Sequence, residues 1–382
     1  MPAYLMSQPC YVDPLSGERY PITDARWCSD AQTPLMISPL PGISRDDIDT
    51  RNRSIWRYRA ALPQDIAKPV SLGEGATPMV ERAWGGLRPH FKLEWFNPTC
   101  SFKDRGASVM LSWLRQIGIP AVAEDSSGNG GAAIAAFGAA AEMGVTIFAP
   151  AYTSIAKVAQ IRAFGADVRL VEGPRENSQT EAIRASRDIF YASHNWQPFF
   201  LQGTKSIAYE MWEDFGFQAP DNVVIPAGAG SNVLGCAIGF AELLAAGQIC
   251  RLPKLFVAQP LHCSPVDASF QAGVDSAVPR EVLPTVAEGT AIKHPVRLRE
   301  VLQAVRASGG QTVAVPEADI VAAVKRLALS GLYAEPTSAT AAAALQVLEA
   351  RGAIQASERT VVLLTGTGIK STQFMTDLYS AG

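Results

Sequence analysis

One lysine stands where a turn passes into a helix, and an amine in that place can carry covalent chemistry. Lys103 lies within residues 101–106 (Ser-Phe-Lys-Asp-Arg-Gly), after the turn-forming run 97–100 (Asn-Pro-Thr-Cys) and ahead of the apolar segment 107–117. Removal from water lowers the pKa of an amine, and a neutral amine attacks aldehydes. Lys103 is therefore a candidate for a covalent bond to a carbonyl compound. The alternative is an ordinary solvated surface lysine.

A glycine-rich segment further along the chain has the features of a phosphate site. Residues 226–235 (Pro-Ala-Gly-Ala-Gly-Ser-Asn-Val-Leu-Gly) follow a predicted strand and open a predicted helix. Glycines let successive N–H groups converge, and the helix N-terminus adds partial positive charge. The spacing of Gly228, Gly230 and Gly235 does not match a dinucleotide fingerprint, and no Lys-Ser/Thr pair completes a Walker loop. The alternative is a tight packing turn that holds no ligand.

A second turn, residues 125–131 (Asp-Ser-Ser-Gly-Asn-Gly-Gly), lies between a predicted strand and an Ala-rich helix. Ser126, Ser127 and nearby N–H groups can hold a carboxylate, and the Asn129 amide can donate to a phenolate-type oxygen. The same composition is also typical of a helix N-cap, which is the alternative interpretation.

Two late segments add single polar side chains. Thr365, within residues 363–370, follows the last strong strand, where open α/β sheets bind ligands. Glu335 lies in a Pro-containing turn into a helix, within residues 334–339. A simpler role for Glu335 is a favourable charge near a helix N-terminus.

The elements that position these residues alternate regularly from about residue 91. Seven short apolar runs are predicted strands: 121–123, 145–149, 168–171, 222–225, 255–258, 312–315 and 360–364. Six small-residue runs are predicted helices: 130–143, 155–164, 178–191, 231–246, 317–329 and 338–350. Strand, crossover helix, strand predicts an α/β fold with a parallel, doubly wound sheet covered on both faces. Residues 262–292 break the alternation and are interpreted as an excursion, either a lid or a dimer contact.

Composition narrows the function classes. The net charge of −3 gives no electrostatic case for a nucleic acid or an anionic membrane as partner. No apolar run reaches the roughly 20 residues of a membrane span, and the start has no secretory pattern. Six scattered cysteines favour reduced thiols over a disulfide framework. We therefore expect a cytoplasmic protein that acts on a small molecule.

Taken together, these segments resemble the fold-type II pyridoxal-phosphate enzymes, and most closely their threonine synthase-like branch. The resemblance runs from residues 72–78 (Leu-Gly-Glu-Gly-Ala-Thr-Pro) to 368–370 (Gly-Ile-Lys), which is most of the chain. It implies a two-domain α/β fold with three-layer parallel or mixed sheets and helices on both faces. It also implies three regions: an N-terminal degenerate zinc-ribbon-like segment and arm (1–70), a large cofactor domain (71–106 and 200–382), and a small domain inserted in it (107–199).

The resemblance also implies roles for the site residues. Lys103 would form the Schiff base with pyridoxal 5′-phosphate and, once freed, would take the substrate α-proton. Asn129 would bind the cofactor's 3′-oxygen, and Thr365 would face its ring nitrogen, where a neutral hydroxyl gives a weaker electron sink that suits elimination. The implied cofactor-binding residues are Phe102, Lys103, Asn129, Gly228, Ala229, Gly230, Ser231, Asn232, Glu335 and Thr365. The implied substrate-binding residues are Ser126, Ser127, Gly128, Asn129, His194 and Phe200.

Two departures from the family pattern carry expectations of their own. Cys10 and Cys28 are the remnant of a zinc ribbon, and two thiolates cannot complete a tetrahedral site, so no metal is expected. Phe200 stands where the family has an arginine for the substrate phosphate, Gly130 replaces a hydroxyl residue, and Ala229 replaces a polar one. Loss of a guanidinium should cost several kcal/mol of phosphate affinity, which favours a substrate without phosphate.

The resulting hypothesis is a pyridoxal-phosphate-dependent carbon–oxygen lyase or synthase. It removes the α-proton of a β- or γ-substituted amino acid and then eliminates, with or without a later addition. The resemblance leaves open an authentic threonine synthase acting on O-phosphohomoserine, or an ammonia-lyase of the serine/threonine dehydratase type. From other classes, a catalytically silent cofactor-binding relative stays open, while the loop spacing disfavours a nucleotide-dependent oxidoreductase. The resemblance also implies a homodimer.

Overall fold

The computed structural model describes residues 8–126 and 128–380. Thirteen β-strands lie in this part of the chain: β1 Cys10–Val12, β2 Arg19–Pro21, β3 Met36–Ile37, β4 Met79–Glu81, β5 His90–Leu93, β6 Ala121–Glu124, β7 Gly144–Pro150, β8 Asp167–Val171, β9 Phe190–Tyr191, β10 Asn222–Pro226, β11 Lys254–Pro260, β12 Thr312–Val315 and β13 Thr360–Leu364.

Twelve α-helices lie in the same two ranges: α1 Lys103–Gln116, α2 Asn129–Ala140, α3 Ile155–Ala163, α4 Arg175–Ala185, α5 Pro198–Thr204, α6 Ser206–Asp214, α7 Ser231–Ala245, α8 Pro265–Gln271, α9 Leu298–Ala307, α10 Glu317–Leu329, α11 Pro336–Ala350 and α12 Thr372–Ser380. None of them is both long and apolar enough to cross a bilayer.

A six-stranded sheet forms the larger of the two α/β layers. Its strand order is β12-β11-β10-β13-β5-β4, and every neighbouring pair is parallel except β4 and β5. Val224 in the centre of β10 pairs with Phe256 of β11 on one side and Val362 of β13 on the other. Because parallel strands align their carboxyl ends, the loops after β10 and β13 leave the sheet at the same edge.

Both faces of this sheet are covered by helices, as the sequence predicts. Val223 and Ile225 of β10 pack in one hydrophobic cluster with Leu234 of α7, whereas Val224 packs in another cluster with Leu345 of α11. Successive side chains of a strand point to opposite faces, so the two clusters lie on opposite sides of the sheet. The three-layer α/β architecture is confirmed.

A separate four-stranded sheet is parallel throughout, with the order β8-β7-β6-β9. All of its strands fall within residues 107–199, the range assigned from sequence to a small inserted domain. The helix α2 follows β6, and α3 and α4 follow β7 and β8. The division of the chain into domains stays a prediction.

The N-terminal region forms a small antiparallel sheet in the order β2-β1-β3. Tyr11 at its centre is fully buried and packs edge-on against Phe199, with ring centroids 6.2 Å apart. Cys10 and Cys28 are free thiols, and Cys10 Sγ accepts a hydrogen bond from Arg19 Nε at 3.1 Å. Within residues 8–126 and 128–380 no group of three or more His, Cys, Asp or Glu side chains is arranged to hold a metal.

One predicted helix is wrong in extent. The sequence predicts a single helix over 178–191, but α4 ends at Ala185 and residues 190 and 191 form β9. The strand forms because Phe190 and Tyr191 pair with Val122 and Ala123 of β6, a long-range contact that outweighs local helical preference. This short strand matters for the site because it places the residues that follow it beside the end of β6.

Candidate active site

A cleft of about 850 Å³ opens at the carboxyl ends of β6, β10 and β13. Thirteen predicted site residues line it: Phe102, Lys103, Ser126, Gly128, Asn129, His194, Gly228, Ala229, Gly230, Ser231, Asn232, Glu335 and Thr365. Ser127, also predicted to bind substrate, lies outside the described residues. The segments singled out from sequence are therefore brought to one place by strand ends of two sheets.

Lys103 is the first residue of α1, and its position is fixed through backbone contacts with the end of β13. Ser101 forms an isolated antiparallel bridge with Gly366, and the Phe102 N–H donates to the Thr365 carbonyl at 3.2 Å. Thr99 donates its backbone N–H to the carboxylate of Asp104, which ties the preceding turn to the first turn of the helix. The lysine thus enters the cleft from a rigid turn.

The Lys103 amine lies among aromatic rings. Its Nζ is 4.7 Å from the centroid of the Phe102 ring and 5.6 Å from that of Phe200. Burial, together with the positive charge of Arg175, lowers the pKa of Lys103 to about 7, while Glu124 and Glu335 oppose the shift. A large fraction of this amine is therefore neutral near pH 7, which is the nucleophilic and basic form.

The glycine-rich loop joins β10 to α7 in a conformation that needs glycine. Gly230 has φ of +90°, and a Cβ atom there would lie 2.3 Å from Val301 Cγ2. The loop ends on the N-terminus of α7, so its N–H groups point into the cleft with the positive end of the helix dipole. The Asn232 side chain is buried, and its Nδ2 and Oδ1 have no hydrogen-bond partner among the described residues.

Asn129 and Glu335 meet across the cleft. Asn129 Nδ2 donates to Glu335 Oε1 at 3.1 Å, and the Glu335 backbone N–H donates to the Gly366 carbonyl at 3.2 Å. Burial raises the pKa of Glu335 to about 7, although Lys370, Lys157 and the bond from Asn129 favour the ionised form. Glu335 is thus more than a charge near a helix N-terminus, because it holds the Asn129 amide in the cleft.

Thr365 directly follows β13, and its hydroxyl lies against another hydroxyl. Its Oγ1 lies 3.1 Å from Ser338 Oγ, and Ser338 in turn accepts the Gly366 N–H at 2.9 Å. Both side chains are buried. A neutral hydroxyl group therefore stands at the strand end, where the sequence places the partner of a cofactor ring nitrogen.

His194 is anchored by an acid that sequence reasoning missed. Glu124 is the last residue of β6, and its Oε1 lies 3.0 Å from His194 Nδ1. Burial raises the pKa of Glu124 to about 7 and lowers that of His194 well below its usual value. An acidic residue that ends an otherwise apolar strand and is followed by Asp125 was a signal that could have identified it.

Phe200 does not line the cleft, contrary to the expectation that it contacts substrate. Its ring is fully buried behind Lys103, against His194 at 5.6 Å between centroids and against Gly106, where a Cβ atom would lie 2.5 Å from the ring. Gly106 leaves the space that the phenyl ring fills. Because position 200 does not line the cleft, the lack of an arginine there does not show that the cleft lacks positive charge.

Two cations on the cleft wall were missed from sequence. Lys157 of α3 and Arg175 of α4 both line it, and Lys157 Nζ pairs with Glu288 Oε2 at 3.0 Å. Residues 288–290 and 292, at the end of the predicted excursion, also line the cleft. Neither cation lies in a distinctive motif, because each reaches the site from a helix that carries no local signal of ligand binding.

The side chains present fit pyridoxal phosphate. A desolvated lysine amine suits an aldehyde, and a glycine loop at a helix N-terminus with the unpartnered Asn232 amide suits a phosphate. The amide of Asn129 suits a phenolic oxygen, and the Thr365 hydroxyl suits a ring nitrogen. No residue of this set conflicts with the group.

Comparison with known proteins agrees with this fit. Residues 70–366 match the family described as "Pyridoxal-phosphate dependent enzyme". Threonine synthase from Methanocaldococcus jannaschii is 33% identical over 337 residues, covering 86% of this chain and 83% of that protein. Threonine synthase from Methanosarcina acetivorans is 33% identical over 345 residues, covering 88% and 85%.

Solved structures show the same fold at lower identity. Threonine deaminase isoform 2 from Solanum lycopersicum superposes with a TM-score of 0.69 at 23% identity, covering 90% of this chain and 91% of that one. A fungal L-serine ammonia-lyase from Rhizomucor miehei gives 0.71 at 18% identity, covering 82% and 99%. The chain therefore belongs to the pyridoxal-phosphate dependent enzymes, in their threonine synthase-like branch.

Proposed function

We propose that this protein is a carbon–oxygen lyase or synthase that eliminates a β- or γ-substituent from an amino acid. The observation that carries the proposal is the Lys103 amine, whose pKa burial lowers to about 7, in one cleft with the glycine-rich loop 228–232. When bound, pyridoxal phosphate joins the lysine through its aldehyde and withdraws electrons from the bonds at the substrate α-carbon.

The residues of the chain bind the cofactor and the substrate and orient them. The N–H groups of the loop 228–232 and the Asn232 amide hold the phosphate, and Phe102 covers the ring. Asn129, kept in place by Glu335, donates to the phenolic oxygen, while the Thr365 hydroxyl contacts the ring nitrogen without adding charge. Ser126 and Gly128, just before α2, bind the substrate carboxylate, and the resemblance assigns Ser127 to the same role. Together these contacts fix the α-carbon near Lys103.

Lys103 also moves the first proton. Lys103 Nζ, when it is not bonded to the cofactor, would take the α-proton and could return it, since burial lowers the pKa of this amine to about 7. The loss of the α-proton to Lys103 Nζ leaves the bonding electrons on the carbon, from which the substituent can be expelled. The rings of Phe102 and Phe200 keep water from the amine.

We also propose the domain division given by the resemblance, with the cleft between a large domain (71–106 and 200–382) and a small one (107–199). Supporting it, Lys103, the glycine-rich loop and Thr365 come from one side, while Ser126, Lys157 and Arg175 come from the other. We further propose that the enzyme works in the cytoplasm as a homodimer, which sedimentation of the purified protein would test.

One chemical experiment tests the cofactor lysine. The purified protein should absorb visible light, lose that absorbance on treatment with borohydride, and then carry the reduced cofactor on the peptide that contains Lys103. Lys103→Ala should show no such label. A label on any other lysine, or no chromophore after incubation with pyridoxal phosphate, would refute the assignment.

A second candidate function, threonine synthase itself, is favoured by Lys157 and Arg175. Arg175 lines the cleft and forms no ion pair within the described residues, so its guanidinium is free to bind an anionic substituent. The threonine synthase relatives agree with such a substrate. Together these observations weigh against the expectation of a substrate without phosphate, which rested on Phe200, Gly130 and Ala229.

Phosphate release from O-phosphohomoserine separates the two candidates. If the substrate is phosphorylated, Arg175→Gln should raise KM roughly tenfold to a hundredfold, since bonds to charged groups are worth about 1.5–3 kcal/mol. Arg169→Gln is the matched control, because Arg169 pairs with Asp167 on the surface and does not line the cleft. Turnover of serine or threonine without phosphate release would favour the ammonia-lyase reaction.

A further inference from the structure

We infer that His194 is a second acid–base residue of the cleft, and that Glu124 is the positioning residue that holds its imidazole and shares its proton. The inference rests on the proposed function, because it assigns a proton transfer that follows removal of the α-proton by Lys103. For a γ-substituted substrate the transfer takes a proton from the β-carbon. For a β-hydroxy substrate it delivers a proton to the departing oxygen.

The two residues are brought together by neighbouring parallel strands. Ala123 of β6 pairs with Tyr191 of β9, so the segments that leave these strands run side by side. Glu124 Oε2 accepts the backbone N–H of His194 at 2.9 Å, and Oε1 lies 3.0 Å from Nδ1 of the same residue. Both oxygens of this fully buried carboxylate therefore contact one histidine, and Oε1 also accepts the Asp125 backbone N–H at 3.0 Å.

The imidazole is also confined from its other sides. A Cβ atom at Gly130 would lie 2.9 Å from both Nδ1 and Cε1 of His194, and the Phe200 ring lies 5.6 Å away between centroids. With Nδ1 occupied by Glu124, Nε2 is the nitrogen left for a ligand. Within residues 8–126 and 128–380 it has no hydrogen-bond partner, and His194 lines the same cleft as Lys103.

The charges around Glu124 and His194 determine which of these two residues carries the shared proton. Burial, Lys103 and Arg175 all lower the pKa of His194, while Asp125 raises it. Burial raises the pKa of Glu124 to about 7 against the bond from the His194 N–H and the charge of Lys103. Asp125, bonded by the Tyr191 hydroxyl at 2.6 Å, has its pKa raised to about 6 by burial and by Glu124.

The proton balance of the pair follows from these positions. Below pH about 7 Glu124 is protonated and donates to Nδ1, so Nε2 carries hydrogen and can give it up while Nδ1 receives the carboxyl proton. Above this pH Glu124 accepts from Nδ1–H, and Nε2 is free to take a proton. In elimination across the β- and γ-carbons, the C–H electrons form the double bond and the leaving group departs with the electrons of the C–O bond.

The test separates two proton transfers in the holoenzyme. With O-phosphohomoserine and with serine as probes in D2O, deuterium entry at the α-carbon reports Lys103, and release of phosphate or keto acid reports elimination. His194→Gln should keep the cofactor on Lys103 and keep α-exchange within about threefold. Elimination should fall roughly 10²–10⁴-fold, the usual contribution of a general acid–base residue.

The role of Glu124 is tested by a measurement that loss of structure alone would not change. In wild type the elimination rate should titrate near pH 7, whereas Glu124→Gln should lose that titration and leave the pH profile of α-exchange in place. Tyr191→Phe is the matched control: it alters the same buried cluster through Asp125 without touching the pair, and it should stay within about threefold in elimination.

Three results would overturn the inference. One is an equal fall of α-exchange and elimination in His194→Gln, the second is unchanged elimination, and the third is a change confined to KM, which would make His194 a binding residue only. His194→Asn serves as a second variant if His194→Gln misfolds. Absence of α-exchange in the wild-type enzyme would instead count against the proposed function itself.

Discussion

Lys103 shows how its surroundings change the behaviour of a side chain that is otherwise a surface cation. Free lysine carries its charge at neutral pH, but burial and Arg175 bring the pKa from 10.5 to about 7. A shift of this size changes the neutral fraction at pH 7 by roughly three orders of magnitude. The reactivity of the residue is therefore set by its neighbours and not by its type.

This shift predicts the pH dependence of cofactor attachment. Only the neutral amine attacks the aldehyde, so the rate at which the cofactor-free protein takes up pyridoxal phosphate should rise about tenfold per pH unit below pH 7. Above that pH the rate should level off. Stopped-flow absorbance measures this uptake rate across pH 5.5–9, in about seven half-unit steps. A rate still rising through pH 9 would mean that the amine keeps its ordinary pKa.

At the scale of elements, α7 is bounded by two glycines in the left-handed region, and they are under different constraints. Gly230 precedes the helix with φ of +90° and has Val301 against its open side, whereas Gly247 follows the helix with φ of +68° and has nothing within 4 Å. Both positions disfavour other residues through backbone strain. At Gly230 a side chain would additionally displace the loop to which we assign the phosphate site.

Comparing alanine substitutions at Gly230 and Gly247 isolates the contribution of the glycine-rich loop to cofactor binding. Gly247→Ala should cost about 1–2 kcal/mol of unfolding free energy from strain alone and leave cofactor affinity unchanged. Gly230→Ala should cost about 1–3 kcal/mol more through overpacking against Val301, and it should weaken cofactor binding. Urea unfolding and cofactor titration measure the two quantities. Equal cofactor affinity in both variants would contradict a phosphate site at this loop.

Helix α1 is anchored through a buried ion network centred two residues after Lys103. Arg105 is fully buried, and its guanidinium binds Glu94 at 2.7 Å and Glu210 at 2.6 Å. Lys92 binds the same Glu210 at 3.0 Å. Burial alone would raise the pKa of Glu210, but Arg105 and Lys92 outweigh it and hold that pKa well below its usual range.

Removing the centre of this network should be costly. Arg105→Met leaves buried carboxylates without their cation, and we expect a loss of about 3–5 kcal/mol in unfolding free energy. Arg184→Met, which breaks a surface pair with Glu181 on α4, should cost at most about 1 kcal/mol. Urea denaturation compares them. A loss below about 1 kcal/mol for Arg105→Met would show that the network adds little to the anchoring of α1.

At the scale of the whole molecule, the walls of the cleft are joined by weak, partly exposed polar contacts. Three of these join α3 and α4 to residues 288–293 and 370: Lys157–Glu288 at 3.0 Å, Glu176–Lys293 at 3.5 Å and Gln160–Lys370 at 3.2 Å. Exposed pairs of this kind contribute about 0–1 kcal/mol each and are screened by salt. Opening of the cleft along this line therefore requires little free energy.

The double variant Glu176→Gln/Glu288→Gln should loosen the cleft without unfolding the protein. We expect amide exchange in α3 and α4 to speed up by up to about fivefold per pair, while unfolding free energy falls by at most about 2 kcal/mol. Glu181→Gln, which breaks a pair within α4, should leave exchange across the cleft unchanged. Unaltered exchange in the double variant would show that these pairs do not hold the walls together.

The sequence was most informative where one local motif both forms the structure and carries the chemistry. The glycine-rich loop, Asn129 and Thr365 follow apolar strands, so their place at the carboxyl ends of parallel strands could be predicted from alternation alone, although the strands belong to two sheets. Arg175 could not, because its role depends on which helix faces the cleft, and Glu124 carried only the signal of an acidic residue at the end of an apolar strand. The placement of Phe200 depends on packing in the same way, since only its contacts with Gly106 and His194 show that its ring lies behind Lys103.

The bridge between Ser101 and Gly366 links segments about 265 residues apart in the chain. A ribosome adding roughly 5–20 residues per second needs about 13–53 s to travel that distance. During this interval the nascent Lys103 lacks the strand end that closes its site, and its amine keeps the properties of a solvated lysine. Cofactor loading is therefore an event of the finished polypeptide, and a chain truncated before residue 366 should fold in part without gaining a chromophore.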